Sequence, residues 1–226
     1  MNELEERYRN IQERVAAAAK EAGRSPSDVS LIAVSKRHPP ERIAELYALG
    51  HRDFGESYVQ EMLEKQLALR DLSGLRWHFI GRVQRNKTKD LAKCVLVHGA
   101  SALRHVQSLA NADVKQVLMQ VNLSGETSKN GLSPAELRRF FADLDAVDRE
   151  QKEGPRLGAR VKGLMTLPEP GQGSRAFAEL AALRDEFGVE RLPWLSMGMS
   201  GDFSDAVLKG ATHIRVGTAI FGSRPA

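Results

Sequence analysis

Apolar and β-branched residues fall in short runs that stop at a polar residue or a glycine. Eight such runs recur: Leu31–Val34, Arg52–Phe54, Trp77–Ile80, Val95–His98, Val117–Asn122, Val161–Met165, Trp194–Met197 and His213–Val216. Their length and composition predict buried strands. The intervening segments Pro40–Leu49, Tyr58–Leu69, Arg85–Lys93, Ala102–Ala110, Pro134–Val147, Ser174–Phe187 and Phe203–Lys209 predict helices from apolar residues spaced three and four apart. A further helix over Met1–Ala22 is expected to cover the bottom or the side, and Ser25-Pro26-Ser27-Asp28 turns the chain into the first strand.

The boundaries carry their own chemistry. Pro39-Pro40 opens one helix and Gly50 closes it; Ser133-Pro134-Ala135-Glu136 is a capping box with proline at the first helical position, and Gly188 ends another helix. Strand and helix in strict alternation predict the α/β class. Right-handed crossovers make all strands parallel, and eight close a ring, so the expectation is a single (β/α)8 TIM-barrel domain over residues 1–226. The competitor is a doubly wound open sheet, but no Gly-x-Gly-x-x-Gly follows the first strand.

Composition narrows the class rather than changing it. The 226 residues carry a net charge of +4 with acids and bases interspersed, which gives no case for nucleic acid. Cys94 is alone and the amino terminus lacks an apolar signal core, so a reduced, cytoplasmic protein is expected. No apolar run approaches the ~20 residues that span a bilayer. The Asn-x-Ser/Thr matches at Asn86 and Asn122 are read as chance, and His78, His98 and His213 lack a metal-specifying pattern.

A barrel keeps its chemistry at the carboxyl ends of its strands. By spacing, Lys36, Glu56, His78, His98, Asn122, Met165, Ser200 and Arg215 are expected around one mouth. Lys36 directly follows an apolar strand, where desolvation lowers an amine's pKa and suits it to attack an aldehyde; the plainer alternative is a lysine reaching out to solvent. Two glycine-containing stretches, Leu195–Asp202 and Arg215–Gly222, follow the seventh and eighth strands. Barrels commonly hold a phosphate there, and Ser200, Gly217 and Thr218 supply hydroxyls and close backbone approach. Arg215 either faces a ligand or pairs with a buried acid such as Glu56. A basic group at Arg82, Arg85, Lys87 and Lys89 steers anions or merely solvates a helix start.

An aldehyde-reactive lysine, a phosphate cup and an arginine between them point to pyridoxal 5'-phosphate. The chain resembles the pyridoxal phosphate homeostasis proteins, whose barrel is similar to the N-terminal domain of alanine racemase. The resemblance runs over nearly the whole chain, through Leu31–Lys36, Phe54–Glu61, Trp77–Gly81 with Gln84 and Asn86-Lys87, Gln120–Asn122 with Ser128-Lys129 and Gly131, Gly163–Met165, and the two C-terminal stretches. It implies that Lys36 forms the internal aldimine, that Arg215 faces the pyridine nitrogen, and that Ser200, Gly217 and Thr218 receive the phosphate. Met165 and Ser57 complete the expected cofactor-binding set. Ser57 stands where the family usually has asparagine, so a water is expected to bridge there. Lys129 matches a family lysine on a loop near the site and is a candidate second acceptor of the cofactor.

An arginine at the pyridine nitrogen weakens the ring as an electron sink. The related racemases complete their site with a second domain and a partner subunit, for which a chain ending at Ala226 leaves no expected source. The resemblance therefore implies a non-catalytic carrier that holds the cofactor in vitamin B6 homeostasis and delivers it, with apo-enzymes as candidate partners; a monomer is expected because a closed barrel needs no partner to finish its site. A racemase-like or decarboxylating enzyme and a cofactor-free aldolase using Lys36 are the alternatives.

Overall fold

The computed structural model describes residues 2–124 and 130–223. Its eight strands are β1 (Ser30–Val34), β2 (Asp53–Glu56), β3 (Arg76–Phe79), β4 (Cys94–Ala100), β5 (Val117–Val121), β6 (Val161–Thr166), β7 (Trp194–Ser196) and β8 (His213–Val216). Each pairs in parallel with the next, and β1 closes on β8 through Ser30 opposite His213 and Ala33 opposite Val216. The expected barrel is therefore present, with strand positions within a residue or two of the runs read from the sequence.

The helices are α1 (Glu3–Glu21), α2 (Pro40–Ala48), α3 (Val59–Ala68), α4 (Leu103–Asn111), α5 (Pro134–Glu150), α6 (Gly173–Phe187), α7 (Phe203–Leu208) and α8 (Thr218–Phe221). α1 buries Leu4, Tyr8, Ile11, Val15 and Ala18, spaced three or four apart, and packs on the barrel's side against α7 and α8. The capping box at Ser133 and Glu136 closes on both sides, and Gly50 and Gly188 take positive φ after their helices. One expected α-helix differs: Arg85–Leu91 is a 3-10 helix. Its two buried residues, Thr88 and Leu91, are three apart, the 3-10 repeat, and Thr88 Oγ1 donates to the Arg85 carbonyl at 3.0 Å.

Alternation along each strand sorts side chains into two layers. Phe54, Trp77, Val97, Met119, Leu164, Leu195 and Ile214 belong to the large core between strands and helices, whereas Leu96, Leu118 and Met165, with Trp194, form a separate apolar cluster inside the barrel. Above and beside that cluster the interior is polar, and this carries the site. Among the described residues no helix is long and apolar enough to cross a membrane.

Candidate functional site

A cavity of about 310 Å³ opens at the carboxyl ends of the strands, and six of the seven expected residues line it: Lys36, Ser57, Ser200, Arg215, Gly217 and Thr218. Lys36 is half-buried and stands two residues past β1. The strand stops because the chain turns: Ser35 N–H still reaches the Gly55 carbonyl at 3.1 Å, and Arg37 then adopts φ 63°. Arg37 thus leaves the alternation of the strand. Ser57 follows β2, and its carbonyl is approached so closely by Gly81 that a Cβ there would lie 2.1 Å away. Only glycine fits that approach.

The β7 turn is set by Gly198, at φ 90°, and by Asp202, whose Oδ1 accepts from Met199 N–H at 2.7 Å. This turn presents Ser200 to the turn after β8, where Ala219 N–H donates to Ser200 Oγ at 3.3 Å. The two glycine-containing turns are therefore joined, as an anion cradle requires. The helices that follow them have only six and four residues, so the cradle rests on hydroxyls and turn backbone rather than on a helix dipole.

Arg215 is buried and hydrogen-bonded from below: Nη1 donates to Ser196 Oγ at 2.6 Å and Nη2 to the Thr166 carbonyl at 2.8 Å. Burial lowers its pKa to about 10 while Asp202 acts in the opposite direction, so it stays a cation near neutral pH. Of the two alternatives for Arg215, the pairing with Glu56 does not occur, since Glu56 pairs with Lys65. Ser196 continues the network to His98 Nδ1 (2.9 Å), His98 Nε2 to His78 Nδ1 (3.2 Å), and His78 Nε2 to Asp53 Oδ1 (3.1 Å). His213 packs beside both histidines. Burial, then neighbouring positive charge, holds His98 well below its ordinary pKa and brings His213 to about 3. Burial alone raises the Asp53 carboxyl, but hydrogen bonds from Arg76 and His78 outweigh it and hold Asp53 below the usual carboxylate range. Arg215 thus rests on a hydroxyl and a backbone carbonyl, with the buried His98 behind the hydroxyl.

Five expected mouth residues lie elsewhere. His78 and His98 sit in the interior network rather than at the rim, because tilted, staggered strands end at different heights. Glu56 alternates outward into the layer beneath α3, since Gly55 occupies the inner position, where an added Cβ would meet Ile32 at 2.8 Å. Asn122 lines a separate cavity with Gln120, Asn130 and Pro168. Met165, the seventh residue of the expected cofactor-binding set, is not among the cavity's lining residues: it faces the barrel interior with Leu96, Leu118 and Trp194. Lys129 lies outside the described residues. The sequence reading missed Val34, His38, Ile80 and Leu167, which also line the cavity. Ile80 and Leu167 directly follow β3 and β6, a positional signal; His38, stacked on Phe221 at 5.0 Å, had none. Burial, then the neighbouring charges of Arg104, Arg82 and Arg85, lowers the pKa of His105.

An amine, a fixed guanidinium and a hydroxyl-lined pair of turns around apolar walls suit a small planar ligand that carries an anion at one end and an electrophilic carbon at the other. Barrels with a lysine past the first strand and an anion cradle after the last two form the class defined here, and the family described as alanine racemase, N-terminal domain, matches residues 7–225. The chain belongs to the pyridoxal phosphate homeostasis protein family. It is 42% identical to the pyridoxal phosphate homeostasis protein of Pseudomonas aeruginosa, covering 99% of this chain and 97% of the relative, and 41% identical to that of Aquifex aeolicus, covering 97% of each. Among solved structures it is similar to PipY of Synechococcus elongatus PCC7942. The form with PLP bound is 35% identical with a TM-score of 0.75, and the form without PLP is 36% identical with a TM-score of 0.76; both comparisons cover 94% of this chain and 100% of PipY.

Proposed function

We propose that this protein binds pyridoxal 5'-phosphate as a reversible Schiff base on Lys36 and takes part in vitamin B6 homeostasis, holding the cofactor and delivering it to apo-enzymes without robust catalysis of its own. The observation that carries the reading is the single cavity into which Lys36, Arg215 and the joined turns of Ser200 and Thr218 all open. The name shared by the relatives and the PLP-bound form of PipY support the same ligand.

In this reading Ser200, Gly217 and Thr218 bind the phosphate, and Ile80 and Leu167 contribute apolar wall around the ring. Arg215 donates an N–H to the ring nitrogen. When bound, the cofactor supplies an aldehyde and an electron-withdrawing ring. A guanidinium whose pKa is about 10 does not give up its proton to a pyridine, so the nitrogen remains an acceptor and the ring is a poor sink for a carbanion. The Ser196 and Thr166 contacts keep the guanidinium in that place. The site therefore favours holding over turnover. Ser57 offers a hydroxyl on the same rim, where a bridging water suits its short reach.

The test uses cofactor-loaded protein in two assays. Mixed with an apo-enzyme that requires pyridoxal phosphate, it is expected to restore that enzyme's activity. Incubated with L-alanine, it is expected to produce no racemisation above the free cofactor's background. Robust racemisation or decarboxylation of an amino acid contradicts the carrier reading.

A further inference from the structure

Outside the cavity, the barrel-helix layer beneath Lys36 contains a lysine that the proposed function does not use. Lys65, on α3, is buried, and its Nζ lies 2.6 Å from Glu56 Oε1, 2.7 Å from Glu61 Oε1 and 2.7 Å from the Ser35 carbonyl oxygen. An ammonium has three N–H donors and no acceptor, so all three are engaged. Glu56 Oε1 also accepts from Ser35 Oγ at 2.7 Å, and Glu61 Oε1 accepts from the Arg37 N–H. The three charged side chains therefore grip the residue before Lys36 and the residue after it.

We propose that the Lys65, Glu56 and Glu61 triad is a positioning device that fixes the Ser35–Arg37 turn so that the Lys36 amine is presented to the cavity. Two features of the geometry call for such a device. Arg37 is one of two described non-glycine residues with positive φ, a conformation that persists only where surrounding contacts impose it. The Ser35 carbonyl also accepts from His38 N–H at 3.0 Å, so the turn that bends the chain away from β1 is anchored on the same atom that Lys65 holds. A buried ion cluster is a poor source of stability but a good means of fixing one geometry. The triad also separates the two lysines: Lys65, with every donor engaged, is a support, and the half-buried Lys36 borders the cavity.

The proposal rests on the reading of Lys36 as the aldehyde's partner, and the test separates the two. Glu61 is partly exposed, so Glu61→Ala leaves the buried Lys65 and Glu56 pair in place while releasing the Arg37 N–H. Binding of pyridoxal 5'-phosphate is compared with that of pyridoxine 5'-phosphate, which has the same ring and phosphate but no aldehyde to react with an amine. The wild type is expected to prefer the aldehyde. Glu61→Ala is expected to weaken aldehyde binding about tenfold, the amount one charge-assisted hydrogen bond supplies, and to leave pyridoxine 5'-phosphate binding unchanged. Glu61→Gln, whose amide oxygen can still accept from Arg37, is expected to restore most of the difference. Equal weakening of both ligands assigns Glu61 a general structural role and overturns the proposal, as does an unchanged aldehyde preference in Glu61→Ala. A wild type without aldehyde preference contradicts the Lys36 reading itself, and the positioning role falls with it.

Discussion

Acidifying the apo protein from pH 7 to pH 5 is expected to destabilise it by about 4 kcal/mol, through His98 and His213. Both are buried, and their folded pKa values lie below the ordinary histidine value, His213 at about 3 and His98 well below its usual range. Below about pH 6.5 the unfolded chain binds a proton at each, whereas the folded chain binds neither until far lower pH. Stability is thus fully present above the unfolded pKa and is lost as pH falls. Each histidine contributes about 2 kcal/mol at pH 5, since every pH unit below the unfolded pKa costs about 1.4 kcal/mol per proton. His51, lowered chiefly by burial, adds in the same direction. Glu56, raised chiefly by burial, opposes it by taking its proton first in the folded state. Urea unfolding at the two pH values measures the difference. His213→Gln is expected to remove about half of the slope, and a stability that stays level from pH 7 to pH 5 contradicts the assignment of neutral interior imidazoles.

Lys65→Met is expected to be among the most destabilising single changes outside the apolar core, costing about 3 kcal/mol near neutral pH. It removes the cation from a fully buried carboxylate that also accepts from the Ser35 hydroxyl. Protonating Glu56 limits the loss, because taking up a proton at pH 7 from an ordinary carboxyl pKa costs about 3.5 kcal/mol. The double variant Lys65→Met with Glu56→Gln is therefore expected to recover much of the stability, because no charge is then left buried. Chemical denaturation of the wild type, both single variants and the double variant gives the coupling directly. Additive losses contradict a mutually dependent pair.

The fold was legible because two periods alternate along the chain. Runs such as Leu31–Val34 and Val117–Val121 satisfy a strand buried on both faces, and Ser133 with Glu136 marks a helix start by chemistry that depends on neighbours alone. The segment Arg85–Leu91 was harder, since two buried residues three apart suit an α-helix and a 3-10 helix equally. Six of the seven residues expected at the site line one cavity because they lie at or just past the carboxyl ends of strands. Glu56, His78 and His98 were expected at the mouth and lie elsewhere for one reason: proximity to a strand's end in sequence says neither which layer the side chain enters nor how high a tilted strand ends. Gly55 decides the first for Glu56, and the interior network from Asp53 to Arg215 decides the second for the histidines. Lys65 reads in the sequence as a solvated member of a Glu61 and Lys65 helical pair. Its spacing of three from the buried Met62 was the sign that it faces inward.

The most direct test of the central claim is to load the protein with pyridoxal 5'-phosphate, reduce it with borohydride, and map the modified lysine by peptide mass spectrometry. The expected result is a phosphopyridoxyl group on the peptide that contains Lys36, lost in Lys36→Ala. A label on Lys65, Lys129 or any other lysine in place of Lys36, or no label at all, contradicts it.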